Sequence, residues 1–447
     1  MPTAVIRTDF TVRITAGNTG EHTSPDHPKH NGTIATQKKQ QMEGTGSEYL
    51  KFSKSWHFSP QEEMLEVKKK KNNLVIGIPA ETTYDENRVS LAPEAASLLT
   101  QNGHTLLVQS RAGANAFFPD EEYAEAGCEL VYSAEEVFRA DIILKVAPLS
   151  DKELEYVRPG QVIMSTVALP MQKEAYFKQL MSKKVTAIAF EFIRDKANTF
   201  PLVRSMSEIA GSASVLIAST YLCHKSFGKG RVFGGISGIT PTEVVIIGSG
   251  TVGEYAARAA MGLGAMVKIF DHSVYKLRRL QNNLGERVFT SIIQPKMLLK
   301  AIKTADVVIG AIHSHWRRTP IILTEEMVSQ MKKGSVIVDV SIDQGGCVET
   351  SRITTHSEPV FVKYGVTHYC VPNIASGVPN TASYAFSNFF APVLLNIGEE
   401  GGVENMLKRD PGVRQGVYIF NGTLTSQYIG EFFRLPFQDI DLLMAAF

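Results

Sequence analysis

From Leu74 onward the chain alternates short apolar runs with stretches of helical period. The runs predict strands at 74–79 (LVIGIP), 104–110 (HTLLVQS), 141–147 (DIILKVA), 161–168 (QVIMSTVA) and 185–193 (VTAIAFEFI). Between them, a helix is predicted from Pro93, with proline in its first turn and Gly103 past its end, and another over 134–140. Near-continuous apolar runs separated by helices are how a parallel sheet buried on both faces reads. A linking helix is predicted from Met206 to about Gly228. A second array follows, with apolar runs at 244–247, 306–312, 335–341 and 367–373. The stretch 380–399 is a helix too apolar to stand exposed, so it is expected to return to the first array. The expected fold class is therefore α/β, with two domains built on parallel sheets, one inserted into the other. The outer domain is assigned to 66–203 and 380–447, and the inserted one to 204–379. No short-period repeat is present.

Residues 1–65 break this pattern. They are rich in Thr, Gly, His, Lys and Gln and cannot bury enough apolar surface to offset the entropy of ordering, so a disordered tail is expected. His22, His27 and His30 read as part of that solvated tail rather than as a metal tract. No secretory leader pattern is seen. The length, 447 residues, predicts more than one domain. A formal net charge of +1 offers no electrostatic argument for nucleic acid or an anionic membrane. No apolar run approaches the length of a bilayer span. Cys128, Cys223, Cys347 and Cys370 are scattered, without C-x-x-C spacing, so neither a disulfide framework nor a metal site is expected. A reducing, cytoplasmic setting fits.

Chemistry enters at EVVIIGSGTVGEYAARAAMGLGAMVKIFDHS, residues 243–273. The run Val244–Ile247 stops at Gly248, and Gly248, Gly250 and Gly253 spell G-x-G-x-x-G. Gly248 allows the tight turn, Gly250 lets backbone N–H groups reach a pyrophosphate, and Gly253 lets helix and strand pack closely. Asp271, 18 residues after Gly253, closes the next strand and can accept hydrogen bonds from both ribose hydroxyls of NAD. A 2′-phosphate would be repelled there. Glycine-rich turns alone are common, but here strand, turn, helix, strand and acid occur together. Thr251, Val252 and Lys276 complete the expected cofactor set around this loop.

Ligands of open α/β sheets bind beyond the carboxyl ends of the strands. Arg88, Lys145, Asp343 and Asn373 all stand at such ends. Each alone reads as an ordinary polar surface residue. Together they suit a small carboxylated substrate: arginine grips a carboxylate in two places, lysine polarises a carbonyl, and aspartate moves a proton.

From about Leu74 the chain resembles the alanine dehydrogenase and pyridine nucleotide transhydrogenase family. The resemblance is carried by IGIPAETTYDENRVSLAP, IILKV, PLVRSMSEIAG, GGISGITPTEVVIIGSGTVGEYAAR, VDVSIDQGGCVETSRITTH and YCVPNIASGVPNTASYAFSN. It implies two Rossmann-like domains, the NAD domain inserted into the substrate domain, and reversible NAD-dependent deamination of L-alanine to pyruvate and ammonium. It also implies that Arg88 and Lys145 bind substrate, with Asn373 beside them, and that Lys145 and Asp343 are catalytic. Met206 and Ser207 match the family's Met-Ser bordering the cofactor. A homo-oligomer, hexameric or dimeric, is expected, with no metal and no nucleic-acid or membrane partner.

One departure stands out. The family carries a catalytic histidine after the fourth strand, and Ala168 occupies that place; residues 161–178 hold no histidine. A lesser departure is Ala80, where a lysine is common. Three accounts of Ala168 stand, in this order: Asp343 and a water transfer the proton alone; His313 or His315 folds over the site; or the substrate is different or the activity weakened. From another class altogether, an NAD-sensing regulatory or binding protein without catalysis is favoured by Ala168 and opposed by the retention of Arg88, Lys145 and Asp343. The transhydrogenase alternative fits less well, because those relatives carry an Asn-Gly-Gly version of the IDQGG motif and need membrane partners. A lysine-forming saccharopine dehydrogenase fits the motifs worse still.

Overall fold

Two sheets, each covered by helices on both faces, carry the strands predicted from the apolar runs. The computed structural model describes residues 72–313 and 318–445. The tail expected over 1–65 and His315 lie outside these. From Lys69 the chain forms one unit.

The first sheet takes β1 (Val75–Ile78), β2 (Thr105–Gln109), β3 (Glu129–Val131), β4 (Ile142–Leu144), β5 (Val162–Ser165) and β6 (Thr186–Ala189) in parallel. The second takes β7 (Glu243–Ile247), β8 (Met266–Asp271), β9 (Phe289–Ile292), β10 (Val307–Gly310), β11 (Val336–Asp339), β12 (Val360–Lys363) and β13 (Val366–Tyr369). Late in the chain, β14 (Val417–Phe420) and β15 (Thr423–Leu424) rejoin the first sheet. The spatial orders are β15-β14-β6-β5-β4-β1-β2-β3 and β12-β13-β11-β10-β7-β8-β9. β10 and β11 are buried along their whole length, as strands with helices on both faces must be.

Both sheets are parallel through their centres, but each has an antiparallel edge that the apolar pattern did not predict. β14 runs against β6 and β15 against β14, while β12 runs against β13. The reason is local. Asn421-Gly422 and Tyr364-Gly365 are two-residue turns with positive φ at both positions. That is the hairpin turn whose twist matches paired strands.

The linking helix spans Pro201–Cys223, starting and stopping earlier than predicted. Pro201 pre-sets its first turn, and the His224 ring accepts the N–H groups of Ser226 and Phe227 just past its end. The helix Pro379–Glu399 buries Phe386, Phe390, Leu394 and Ile397 against Ile76, Ile78 and Leu99 of the first array. Its apolar face is thus covered by the first sheet and its helices.

Candidate functional site

The glycine loop is built as its sequence requires. Gly248 has φ +114°, and a Cβ on it would lie 2.3 Å from the Ala311 carbonyl oxygen. A Cβ on Gly253 would lie 2.0 Å from the carbonyl oxygen of Gly248. At Gly250 a Cβ would meet nothing within 4 Å, so the backbone there opens to free space. Gly250 is the N-cap of the helix Thr251–Gly262, and no side chain caps it. Its first-turn N–H groups and positive dipole end are therefore available to an anion. Open backbone, uncapped donors and an acid at the end of β8 fit a dinucleotide.

Asp271 is 2% exposed. Its Oδ2 accepts the N–H and the hydroxyl of Ser249, both at 2.8 Å, and its Oδ1 accepts the N–H of Ser273 at 2.8 Å. Burial raises its carboxyl, but these donors outweigh that and hold it below the ordinary range. Asp271 thus braces the glycine loop with oxygens that retain lone pairs for a ribose. Lys276 stands in the first turn of the following helix, Val274–Leu284, where Ser273 caps its N–H.

A cavity of about 240 Å³ runs from this loop along the linking helix. Met206, Ser207, Val252, His313, Asp343 and Asn373 are among its walls. Met206 and Ser207 come from the linking helix, Val252 from the loop, and the rest from the ends of β10, β11 and β13. The His313 ring lies 3.1 Å from the Gln344 side-chain amide.

Asp343 reaches this wall through a loop organised by a second aspartate. Asp339, fully buried at the end of β11, accepts the N–H groups of Ser341, Cys347 and Val348 and the hydroxyl of Ser351. Those bonds fold IDQGG back on itself. Asp343 is exposed to the cleft. The protein close around its carboxyl still raises it above the ordinary aspartate range, against the pull of the Asn373 N–H and the Arg88 charge. Asn373, at φ +55°, donates its N–H to Asp343 Oδ1 at 2.8 Å and its side-chain amide to Glu86 Oε2 at 3.1 Å.

Glu86 in turn holds Arg88. Nε and Nη2 of Arg88 donate to its two oxygens at 2.7 and 2.6 Å. Nη1 faces the Met206 sulfur at 3.5 Å, and the guanidinium lies over the Phe386 ring. A chain of contacts therefore joins Asp343, Asn373, Glu86, Arg88 and Met206.

Lys145 stands apart. It is 0% exposed and is not among the residues lining the cleft. Its Nζ lies 2.9 Å from Glu153 Oε1 and 3.3 Å from Glu81 Oε2. Burial lowers its pKa, but the two carboxylates outweigh that and the net shift is upward. Burial also raises the Glu81 carboxyl to about 7, with Lys145 pulling it down. Glu81 further accepts the N–H groups of Val146 and Ala147.

A larger cavity, about 510 Å³, adjoins the first and shares Asp343 and Gln344 with it. Ala168 and Glu191, from the ends of β5 and β6, line it together with Arg318, Phe192, Tyr428 and Phe432. Ala168 therefore does face the site, beside Asp343. Sequence reasoning missed Glu86, Asp339 and Glu191. Glu86 was within reach, two residues before Arg88 and on the same strand end. Among the described residues, no group of three or more His, Cys, Asp or Glu is placed to hold a metal ion. None of the described helices is long and apolar enough to cross a membrane.

Comparison with known proteins gives the same outline. The family models for the N-terminal and C-terminal domains of alanine dehydrogenase/PNT match residues 77–210 and 214–427. An alanine dehydrogenase of Methanococcus maripaludis is 37% identical over 366 residues, covering 81% of this chain and 98% of that protein. Alanine dehydrogenase 2 of Staphylococcus aureus is 36% identical over 367 residues, covering 82% and 98%. A solved L-alanine dehydrogenase superposes with a TM-score of 0.76 at 35% identity, covering 81% of this chain and 99% of that one. A transhydrogenase structure from Sinorhizobium meliloti, at 23% identity and a TM-score of 0.69, shares the fold.

Proposed function

The chain belongs to the alanine dehydrogenase/pyridine nucleotide transhydrogenase family, and from that premise we propose that it is an NAD-dependent dehydrogenase that reversibly deaminates L-alanine to pyruvate and ammonium. The observation that carries this is Asp343, a carboxyl shared between the cleft beside the glycine loop and the chamber at Ala168. A group at that junction touches both a cofactor and a substrate. The bound nicotinamide supplies the hydride acceptor, and the residues around it position and polarise.

The glycine loop holds the pyrophosphate, and Asp271 the adenosine ribose, which favours NAD over NADP. Met206, Ser207, Thr251, Val252 and Lys276 border the cofactor. Arg88 grips the substrate carboxylate through Nη1, which its pair with Glu86 leaves facing only the Met206 sulfur. Asp343 takes the proton of the substrate ammonium, and its raised affinity for protons suits that task. Asn373 holds Asp343 in place. Lys145 contributes fixed positive charge from behind the wall; contact with substrate requires its bond to Glu153 to break.

We divide the chain into a tail (1–65), a substrate domain (66–203 and 380–447) and an NAD domain (204–379). A cytoplasmic homo-oligomer, hexamer or dimer, completes the proposal, and the four free thiols support the compartment. A second reading is a dehydrogenase for a bulkier L-amino acid, favoured by a 510 Å³ chamber with aromatic walls beside Ala168. A third is an NAD-binding homologue with weakened catalysis, favoured by Ala168 itself.

NADH formation from NAD and a panel of L-amino acids separates the three. Turnover of L-alanine above all others supports the first, and preference for a larger side chain supports the second. NAD binding without turnover of any amino acid overturns both.

A further inference from the structure

The chamber beside Asp343 is lined by a second carboxyl, one of whose oxygens is anchored while the other is buried without a geometric hydrogen bond. Glu191 lies in the 3₁₀ turn Phe190–Phe192, directly after β6. Its Oε1 accepts the Thr166 hydroxyl and the Val167 N–H, both at 2.7 Å. Its Oε2 is buried without a hydrogen-bond partner. A buried, unpartnered carboxyl oxygen costs free energy, on the order of 1–3 kcal/mol or more, unless a proton or a ligand satisfies it. Such groups persist where function uses them. Glu191 shares its chamber with Ala168, the short side chain that leaves the space open, and with Asp343.

We propose that Glu191, in the wall of the chamber it shares with Ala168 and Asp343, is the proton carrier for the hydrolytic half of the reaction. This rests on the dehydrogenase function proposed above. After oxidation at Cα the substrate is an iminium. A water oxygen bonds to Cα, and the water gives one proton to Glu191, leaving a neutral carbinolamine. Glu191 returns that proton to the nitrogen. The Cα–N bond then breaks, its electron pair leaves with nitrogen, and the hydroxyl proton follows to give ammonium and the ketone of pyruvate. Glu191 ends as it began.

The surroundings suit this role. Burial raises the Glu191 carboxyl above the ordinary glutamate range, against the Thr166 hydroxyl and the N–H groups of Glu191, Val167 and Ala168. The charged and titratable groups around it are Asp343, Arg318 and Tyr428 in the chamber. Beneath it lie the buried Tyr176 and Tyr418, whose own ionisation its charge opposes.

Glu191→Gln isolates the proton. The amide oxygen can still accept from Thr166 and Val167, so the anchor survives while the titration is lost. We expect kcat for L-alanine deamination to fall about 10²-fold or more, the size of one general acid–base contribution. The first equivalent of NADH should still form in a rapid burst, because hydride transfer precedes water addition. The limb of the kcat–pH profile belonging to Glu191 should vanish, while the Kd for NADH, read by fluorescence, stays put. Ala168→His in the Glu191→Gln background should recover turnover. A Gln variant with kcat within about twofold of the parent and an unchanged pH profile overturns the role of Glu191 alone. A parent protein that turns over no amino acid overturns the dehydrogenase function, and this inference with it.

Discussion

Arg88 meets Glu86 fork to fork: Nε and Nη2 of the guanidinium donate to the two oxygens of a carboxylate only two residues away, at 2.7 and 2.6 Å. Most of the donor edge expected for the substrate is thereby spent before any substrate arrives. What remains is Nη1, which faces the Met206 sulfur at 3.5 Å. The pair fixes the direction of the free edge, which an unpaired arginine on a strand end would not have. Arg88→Lys should therefore do more than weaken a charge contact. A lysine cannot hold Glu86 and present a second donor at a fixed angle. KM for L-alanine should rise about 30–100-fold, the equivalent of roughly 2–3 kcal/mol, with a smaller change in kcat. Steady-state kinetics at saturating NAD checks this.

Lys145, buried away from both cavities, should prove important to stability. It is the sole cation in contact with the buried Glu81 and Glu153 among the described residues. Lys145→Met leaves both carboxyls without their counter-charge, a change that typically costs about 3–5 kcal/mol. Urea denaturation of the variant should show a midpoint lowered accordingly. An unchanged midpoint would mean the carboxyls accept protons at little cost.

Glu81 carries a pH signature. Its folded pKa is raised from 4.5 to about 7. Folding therefore favours its protonated form, so its contribution is complete below pH 4.5 and is lost as pH rises through 7. A shift of this size corresponds to about 3 kcal/mol across the window. Stability measured at pH 5 and pH 8 should fall with rising pH in the parent, and Glu81→Gln should remove most of that difference.

Asp343→Asn should reduce kcat by about 10²–10⁴-fold. The amide can still accept the Asn373 N–H, so the loop held by Asp339 keeps its shape. NADH affinity should change little. Parent-like kcat in this variant would remove Asp343 from the chemistry.

Asp271→Ala should raise the Kd for NAD about 10–100-fold, or roughly 1.4–2.7 kcal/mol, and narrow the preference over NADP. Two effects combine there, since the same carboxylate braces Ser249 in the glycine loop. Titration with both dinucleotides separates them: loop damage weakens both cofactors, whereas loss of the ribose contact weakens NAD alone.

Much of the site was legible because its parts are local. The glycine loop and Asp271 lie within one strand–helix–strand unit, and the IDQGG turn follows an unmistakable buried strand. What escaped was non-local or disguised. Glu153 closes the capping box of Ser150 at the start of its helix; that it also holds Lys145, eight residues earlier, depends on how that helix turns back under the strand end. Glu191 sits in the apolar run AFEFI and was absorbed into a predicted strand, although that strand ends at Ala189. The β14–β15 hairpin did advertise itself through Asn421-Gly422, but its partner β6 lies more than two hundred residues earlier, and nothing local names it. Ala168 was visible as a departure; only the fold shows it lining one chamber with Arg318, Glu191 and Asp343.

The return of β14 to β6 also bears on the order in which the protein is made. Residues 75–189 leave the ribosome first, yet β6 has no partner on its open edge until 417–420 emerge. At roughly 5–20 residues per second, the first-synthesised sheet waits on the order of ten to fifty seconds with an apolar strand edge uncovered. The second sheet, complete by residue 369, has all its strands in hand sooner. Vectorial synthesis thus reverses the order of the sequence: the domain begun first is finished last.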